Sequence, residues 1–223
     1  MECTSEKDDL VEGFAQVAKG LAHPKRLELL DVLAQGERSV ESLAHAAGLR
    51  LTTASALLQT LSRAGLVERR KEGSRVVYRL AGDDVAALIA TLRSVAQRRL
   101  ARVEIARRAL LDRDDAPVVE IGRRELLERA RSGQLLVLDV RPAEEYSAGH
   151  IPGARSLPAD ELADHLDDVP EHVEVVAYCR GRYCVMSHDA VQLLRRHGRH
   201  AAVLSEGMLE WRAAGQPIAS SSA

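Results

Sequence analysis

The sequence predicts two domains, a mainly α domain followed by an α/β domain with a mainly parallel sheet. Its 223 residues suffice for two separate cores of roughly 100 residues each. The first half shows successive helical patterns with one hairpin, whereas the second alternates short apolar strands with helices. The polar segment 112–117 ends in Pro117 and predicts the linker. The predicted divisions are therefore 1–111, 112–117 and 118–223.

The N-terminal half is predicted to begin with four helices. Pro24 suits the first turn of the second helix, Ser39 caps the third, and Gly36 and Gly48 end the second and third. Two valine- and arginine-rich runs around Glu72-Gly73-Ser74 predict a hairpin. The predicted ranges are helices Leu10–Lys19, Lys25–Ala34, Val40–Ala47 and Thr52–Arg63, strands Leu66–Lys71 and Arg75–Leu80, and one long helix over 83–111.

The C-terminal half is predicted to contain a mainly parallel sheet with helices on both faces. Its strands are short, apolar and separated by helical segments, which is typical of such sheets. The predicted strands are Leu135–Val140, Val173–Tyr178 and Ala201–Leu204, and the predicted helices are Arg123–Arg131, Ala159–His165 and Val185–His197.

A helix, a turn, a second helix and a hairpin, in that order, predict a winged helix-turn-helix that binds double-stranded DNA. The second helix fits the major groove, and the hairpin, or wing, brings cations to the phosphates. Segment 61–110 has 12 Lys+Arg against 5 Asp+Glu, although a solvated charged face is the competing interpretation. The candidate DNA contacts are Thr52, Thr53, Ser55 and Gln59 on the recognition helix and Arg69, Arg70, Lys71, Arg75 and Arg79 on the wing.

Two runs carry a family resemblance in this half. Residues 21–33, Leu-Ala-His-Pro-Lys-Arg-Leu-Glu-Leu-Leu-Asp-Val-Leu, and residues 62–80, beginning Ser-Arg-Ala-Gly-Leu-Val-Glu-Arg-Arg, resemble the ArsR family of bacterial repressors over about 10–110. The resemblance implies a homodimer that binds a palindromic operator and is released by an effector. The long helix over 83–111 would form part of the dimer seam; packing on its own domain is the alternative.

Several function classes are disfavoured. Residues 40–45, Val-Glu-Ser-Leu-Ala-His, replace the cysteine-containing box of the metal-sensing members, and the long helix has no histidine or cysteine. His23 and His45 are interpreted as structural or surface residues, and Leu57 stands where many relatives have a histidine. We predict neither metal nor cofactor. No signal peptide or membrane-spanning run is evident, so a cytoplasmic location without membrane contact is expected.

Cys179 has the setting of a reactive thiol. It follows a predicted strand and precedes a predicted helix, so backbone N–H groups and the helix dipole should stabilise an anion there. We expect its pKa to be lowered, to roughly 4–7 in comparable settings. Arg180 and Arg182 should add positive potential. The loop therefore favours a thiolate or a sulfur oxyanion.

Three further motifs accompany this loop: Asp-Val-Arg-Pro-Ala-Glu-Glu-Tyr (139–146), Gly-His-Ile-Pro-Gly-Ala (149–154) and Glu-Gly-Met-Leu-Glu-Trp-Arg-Ala-Ala-Gly (206–215). Together they resemble a rhodanese, or sulfurtransferase, domain over about 117–218. The resemblance implies that Cys179 is the catalytic residue and carries sulfur as a persulfide, which the loop residues Arg180, Gly181, Arg182, Tyr183 and Cys184 would cradle. Phosphatase chemistry is disfavoured, because the arginine it needs is replaced by Val185. Ser205-Glu206-Gly207 departs from the paired glycines of many members.

Cys184 has two interpretations, a small residue packed beneath the loop or a resolving thiol that captures the Cys179 persulfide. Cys3 is interpreted as incidental. The sequence thus predicts a repressor whose Cys179 persulfide senses or transfers reactive sulfur from a donor such as thiosulfate or polysulfide. The alternative is an active sulfurtransferase whose DNA-binding half answers to a different signal. An inactive fold kept for protein contacts is a third possibility, disfavoured by the intact loop.

Overall fold

The chain forms two compact units, Met1–Ala86 and Ala87–Ala223. The computed structural model describes residues 2–73, 75–111, 118–130 and 135–221, with side chains from residue 6. The predicted fold class is confirmed, with a winged helix-turn-helix in the N-terminal half and a five-stranded parallel sheet in the C-terminal half.

The first unit has the predicted helices followed by a winged hairpin. His23 caps α2 through Nδ1, which accepts from the Lys25 N–H at 3.2 Å, and the Ser39 hydroxyl caps α3. Leu29, Leu58 and Leu61 are fully buried in this unit. The elements are α1 (Glu2–Leu21), α2 (Pro24–Leu33), β1 (Arg38–Ser39), α3 (Val40–Ala46), α4 (Leu51–Arg63), β2 (Val67–Glu72) and β3 (Arg75–Leu80), in an antiparallel sheet of order β1-β3-β2.

The single long helix predicted over 83–111 is wrong, since the structure has two helices there. α5 (Asp83–Arg99) and α6 (Ala101–Leu111) are separated at Leu100, whose carbonyl accepts from the Val103 N–H at 2.8 Å. The division between the two compact units falls inside α5. The predicted linker, 112–117, lies outside the described residues.

The second unit contains the parallel sheet, with strand order β4-β8-β7-β5-β6. Helices cover both faces of the sheet and bury most residues of β5 and β7, which explains the continuous apolar runs of these two strands. The elements are β4 (Glu120–Ile121), α7 (Arg123–Ala130), β5 (Leu135–Asp139), α8 (Ala143–Ala148), β6 (Arg155–Ser156), β7 (Glu174–Tyr178), α9 (Val185–Arg196), β8 (Ala201–Leu204) and α10 (Met208–Ala213).

The helix predicted over Ala159–His165 is wrong. This segment makes successive i→i+3 bonds, such as Asp164 N–H to Glu161 O at 3.1 Å, and therefore forms turns that lead into a 3₁₀ helix, Leu166–Asp168. Leu162 is nevertheless fully buried. The spacing of apolar residues in 159–165 thus reflects the burial of Leu162 and does not indicate a helix.

A buried polar cluster fixes the carboxyl ends of β5 and β7. The Arg141 guanidinium donates to Asp139 through Nε at 2.9 Å and to the Gly149 carbonyl through Nη2 at 2.8 Å. The Tyr178 hydroxyl donates to Asp139 Oδ2 at 2.6 Å and accepts from the Ile151 N–H. Because Asp139 and Arg141 are fully buried, each needs the other to compensate its desolvation.

Gly207 lies against the loop that follows β7. A Cβ atom at this position would lie 2.2 Å from the Gly181 nitrogen and 2.5 Å from the Cys179 carbonyl oxygen. The glycine immediately before α10 therefore allows a backbone-to-backbone approach that no other residue permits. Glu206, at the departure from paired glycines, forms an ion pair with Arg123 at 3.1 Å.

We predict that Gly207→Ala lowers the free energy of unfolding by about 1–3 kcal/mol, because the added methyl group overlaps loop backbone. Urea unfolding followed by the fluorescence of Trp211, the sole tryptophan and a buried one, measures this directly. Gly122→Ala is the matched control, since no atom lies within 4 Å of its added Cβ. Equal unfolding midpoints for the two variants would contradict the prediction.

Candidate functional site

The cysteine loop, Cys179–Cys184, connects β7 to α9. Its own turn is closed by the Cys184 N–H, which donates to the Gly181 carbonyl at 2.9 Å. The first turn of α10 holds the loop from outside: the Met208 and Leu209 N–H groups donate to the carbonyls of Cys179 and Arg180, each at 3.0 Å. These donors have no partner inside α10, so they are available to bind the loop.

The two cysteines of the loop are free thiols, and each changes the pKa of the other. Cys179 is buried, with 1% of its surface exposed, whereas Cys184 is half-buried. Cys179 Sγ also lies 3.4 Å from the Ser187 hydroxyl and 3.5 Å from the Cys184 carbonyl oxygen. The Ser187 hydroxyl also donates to the Cys184 carbonyl at 3.4 Å, and the backbone N–H of Ser187 lowers the pKa of Cys179. Cys179 and Cys184 are called the thiol pair below.

The pKa values of the two thiols are shifted in opposite directions, and this differs from the expectation based on the sequence. Burial, together with the hydrogen bond to Cys184, raises the pKa of Cys179, so the expected lowering at Cys179 is wrong. The hydrogen bond from Cys179 lowers the pKa of Cys184 to about 7, and backbone N–H groups of Met186 and Arg180 assist. Above about pH 7 the pair therefore carries one negative charge, which lies on Cys184, while Cys179 keeps its proton.

The arginines of the loop are engaged with neighbouring residues. The Arg180 guanidinium donates to the buried Glu145 carboxylate through Nε at 3.0 Å and through Nη2 at 2.6 Å. Arg182 Nη1 donates to Gln97 Oε1 at 3.3 Å. The sequence predicted both as sources of positive potential; their bonds show that they also fix the loop. Arg180 nevertheless lies close enough to lower the pKa of Cys184.

Several residues of the site were not singled out from the sequence. Ser187 lies eight residues after Cys179, at the point where α9 completes its first turn, and no motif marks it. Glu145 lies within the motif at 139–146, where nothing marks it as a partner of Arg180, and Gln97 lies far from the cysteine loop in the sequence. The pairing of a buried acid with Arg180 requires the fold to be known.

His150 lies away from the thiol pair. Its Nδ1 donates to the Tyr146 carbonyl at 2.8 Å, its ring stacks on Tyr146 at 3.7 Å, and its backbone pairs with Ala219. Trp211 is buried and donates through Nε1 to the Pro217 carbonyl at 2.8 Å. Both residues therefore have structural contacts that hold neighbouring segments together.

The candidate DNA-contacting residues lie in the first unit. Thr52, Thr53 and Gln59 are exposed on α4, and Ser55 is half-buried. On the wing, Arg69, Lys71 and Arg75 are exposed, and β2 is exposed along all but its first residue. Arg70 forms ion pairs with Glu37 and Glu72, and Arg79 with Glu68 at 2.6 Å. The charge of these last two arginines is thus partly compensated.

A winged helix-turn-helix and a cysteine loop on a parallel sheet together define a class of proteins, the transcriptional regulators with a sulfurtransferase-like domain. Residues 123–214 match the rhodanese-like domain family, and residues 25–71 match the IclR helix-turn-helix domain family. The HTH-type transcriptional regulator Rv0324 of Mycobacterium tuberculosis is 51% identical over 215 residues, covering 96% of this chain and 94% of that protein. The chain therefore belongs to this family of HTH-type transcriptional regulators.

Each half also has relatives of its own. A sulfurtransferase of Allochromatium vinosum is 31% identical over 103 residues, which cover 45% of this chain and 94% of that protein. The solution structure of the homodimeric winged helix-turn-helix domain Mb0332 of Mycobacterium bovis, a possible ArsR-family regulator, is 54% identical. The match covers 42% of this chain and 87% of the Mb0332 chain, with a TM-score of 0.41.

Two features are absent from the part of the chain that the structure describes. None of its helices combines the length and the apolarity needed to cross a membrane. The same residues contain no group of three or more His, Cys, Asp or Glu side chains arranged to hold a metal ion.

We predict that iodoacetamide modifies Cys184 with a midpoint near pH 7, because the thiolate is the reactive form and its fraction rises through the pKa. In Cys179→Ala the midpoint should move to higher pH, since the largest cause of the lowering is removed. Peptide mass mapping measures each cysteine separately. A midpoint that stays near 7 in this variant would show that Cys179 does not stabilise the Cys184 thiolate.

Proposed function

We propose that this regulator responds to sulfane sulfur, which Cys179 accepts as a persulfide, and that the modified loop alters DNA binding. The thiol pair carries this proposal: two free thiols lie in one loop, Cys179 Sγ lies 3.5 Å from the Cys184 carbonyl oxygen, and the pKa of Cys184 is lowered to about 7. The functional division into a DNA-binding part (1–111), a linker (112–117) and a rhodanese-like part (118–223) belongs to the same proposal.

The first chemical step is the transfer of one sulfur atom to Cys179. Transfer of the Cys179 proton to the Cys184 thiolate places the charge on Cys179, where the hydroxyl and the backbone N–H of Ser187 stabilise it. With tetrasulfide as donor, Cys179 Sγ forms a bond to a terminal sulfur. The adjacent S–S bond breaks, and trisulfide leaves with the electron pair. The product is a Cys179 persulfide, cradled by the loop residues 180–184.

Cys184 then acts as the resolving thiol. Cys184 gives the proton that it received to the outer sulfur of the persulfide, and its thiolate attacks Cys179 Sγ. The bond from Sγ to the outer sulfur breaks, and hydrosulfide leaves with the electron pair. The two thiols are oxidised to a disulfide while the outer sulfur is reduced to sulfide, so atoms and electrons balance. The contact between the thiols and the low pKa of Cys184 support this role over simple packing beneath the loop.

The DNA-binding half is proposed to act as an ArsR-type repressor on a palindromic operator. Support comes from the runs at 21–33 and 62–80, and from the exposed threonines of α4 and the cations of the wing. Recognition by base contacts from α4 and phosphate contacts from the wing follows from this geometry.

The proposed assembly is a homodimer, and exposed apolar side chains at helical spacing support it. On α5, Leu88, Leu92 and Val95 are 37%, 38% and 43% exposed, and on α1 Phe14 is 70% exposed. Since residues three and four apart share a helix face, the α5 residues form a stripe that a second copy would cover.

A second candidate function is sulfurtransferase turnover independent of DNA binding. The relative from Allochromatium vinosum, a sulfurtransferase by name, favours it, because the match of 103 residues covers 94% of that protein. In this case an external thiophile, and not Cys184, would take the outer sulfur from Cys179.

One experiment with two arms tests both functions. In the first arm, reduced protein selects a duplex from a random DNA pool, and fluorescence anisotropy follows its affinity with and without sodium tetrasulfide. We expect tetrasulfide to weaken binding at least about fivefold in the wild type and to leave Cys179→Ser unchanged. Equal responses of the two proteins would refute the sensor.

The second arm measures thiocyanate formed from thiosulfate and cyanide by the same preparations. Turnover that depends on Cys179, without any change in DNA affinity, would favour the sulfurtransferase. The sensor hypothesis predicts the opposite pattern, in which DNA affinity changes and turnover stays low because Cys184 captures the persulfide. Cys184→Ser is the matched variant, and it should raise thiocyanate formation if resolution by Cys184 competes with cyanide.

A further inference from the structure

The cysteine loop is held by a residue from outside the rhodanese-like part. Gln97 on α5 accepts through Oε1 from the Tyr183 hydroxyl at 3.2 Å and from Arg182 Nη1 at 3.3 Å. The Arg93 guanidinium, one turn earlier on α5, lies 5.7 Å from the centre of the Tyr183 ring, within cation–π range. These residues all belong to the second compact unit.

The amide of Gln97 is fixed from its other side. Its Nε2 donates to Glu104 Oε2 at 3.0 Å, across the break between α5 and α6. The bonds from Arg107, Gln97 and Arg108 lower the pKa of Glu104 to about 2, so it remains an acceptor at neutral pH. The amide therefore has one orientation, with its oxygen towards the loop.

The contacts continue from α6 to the helix that begins at the thiol pair. Arg107 bonds Glu104 through Nε at 3.1 Å and lies 3.7 Å from Glu120, the first residue of β4. Glu120 in turn lies 3.7 Å from Nε2 of His188, the neighbour of Ser187 on α9. The C-terminal half of the cysteine loop and the helix that follows it are thus connected to α5 and α6 through polar contacts.

We infer that Gln97 is a positioning residue for the cysteine loop, and that α5 responds through it to the sulfur state of the thiol pair. A disulfide requires Cα atoms about 4.4–6.8 Å apart and one narrow range of side-chain geometry. In the reduced protein the Cys179 thiol donates to the Cys184 carbonyl at 3.5 Å, and disulfide formation removes this bond together with the thiol hydrogen. The backbone of Cys184 is thereby released next to Tyr183. The bonds of Tyr183 and Arg182 to Gln97, already 3.2 and 3.3 Å long, are the first contacts to be lost.

The consequence lies on the other side of α5. At 3.6 residues per turn, Arg93 and Gln97 lie on one side of the helix, whereas Leu88, Leu92 and Val95 lie roughly opposite. The proposed dimer seam and the contacts with the loop thus use opposite sides of the same helix. This inference rests on the proposed function and gives it a route from sulfur chemistry to assembly.

Hydrogen exchange of the full chain, reduced or treated with sodium tetrasulfide, tests this inference. In the wild type we expect exchange in peptides covering 92–104 to accelerate at least about fivefold on treatment. Tyr183→Phe removes the hydroxyl that donates to Gln97, and Gln97→Ala removes the acceptor of that bond. In both variants the peptides covering 92–104 should exchange fast already in the reduced protein, and tetrasulfide should cause no further acceleration. Arg98→Ala is the control, because Arg98 bonds Ser94 of its own helix, and it should respond as the wild type does.

The outcomes separate the two proposals, because intact mass is recorded on the same samples. If the wild type gains sulfur or loses two hydrogens but hydrogen exchange in 92–104 stays unchanged, the role of Gln97 is overturned. The proposed thiol chemistry is left intact by that result. The role of Gln97 is likewise overturned if Gln97→Ala and Tyr183→Phe respond like the wild type. Wild type without a mass change would overturn the proposed function, and this inference with it.

Discussion

The close contact between Gly207 and the cysteine loop is the constraint on which the site depends. Because no side chain intervenes, the first turn of α10 reaches the carbonyls of Cys179 and Arg180 and satisfies them. With these carbonyls bound outside, backbone N–H groups of Arg180, Met186 and Ser187 point to the two sulfur atoms. The electrostatics of the thiol pair thus follow from a packing contact.

Charge pairing then determines what the loop can do. Glu145 engages Arg180 and Gln97 engages Arg182, so these two arginines hold the loop in shape as well as supplying potential. The remaining stabilisation of an anion comes from backbone donors and from Ser187, which favour a compact sulfur anion over a large oxyanion. An uncommitted loop arginine would have suited phosphate better.

The sequence predicted local features well and distant ones poorly. The helix-turn-helix with its hairpin, the loop between β7 and α9 and the strand Ala201–Leu204 depend on neighbouring residues, and the structure confirms them. The short elements β1, β4, β6, α8 and α10 were not predicted. The turns at 159–165 were mistaken for a helix, because Leu162 is buried by packing and not by helical periodicity. The break at Leu100 occurs without glycine or proline, so no sequence signal was present.

The pKa values of the thiol pair also differ from the expectation based on the sequence, because they depend on tertiary contacts. A cysteine between a strand and a helix predicts a lowered pKa, but burial of Cys179 and its bond to Cys184 place the lowered pKa on Cys184. Gln97, about 80 residues before the loop, needs the tertiary fold to reach Tyr183. These are properties of contacts between distant segments, which composition and spacing do not contain.

Intact mass spectrometry of the full chain after tetrasulfide treatment tests the central claim, that the thiol pair accepts sulfane sulfur at Cys179 and resolves it through Cys184. The account predicts loss of two hydrogens in the wild type and addition of one sulfur, about 32 mass units, at Cys179 in Cys184→Ser. An unchanged mass in both proteins, or sulfur added equally to Cys179→Ser, would contradict it.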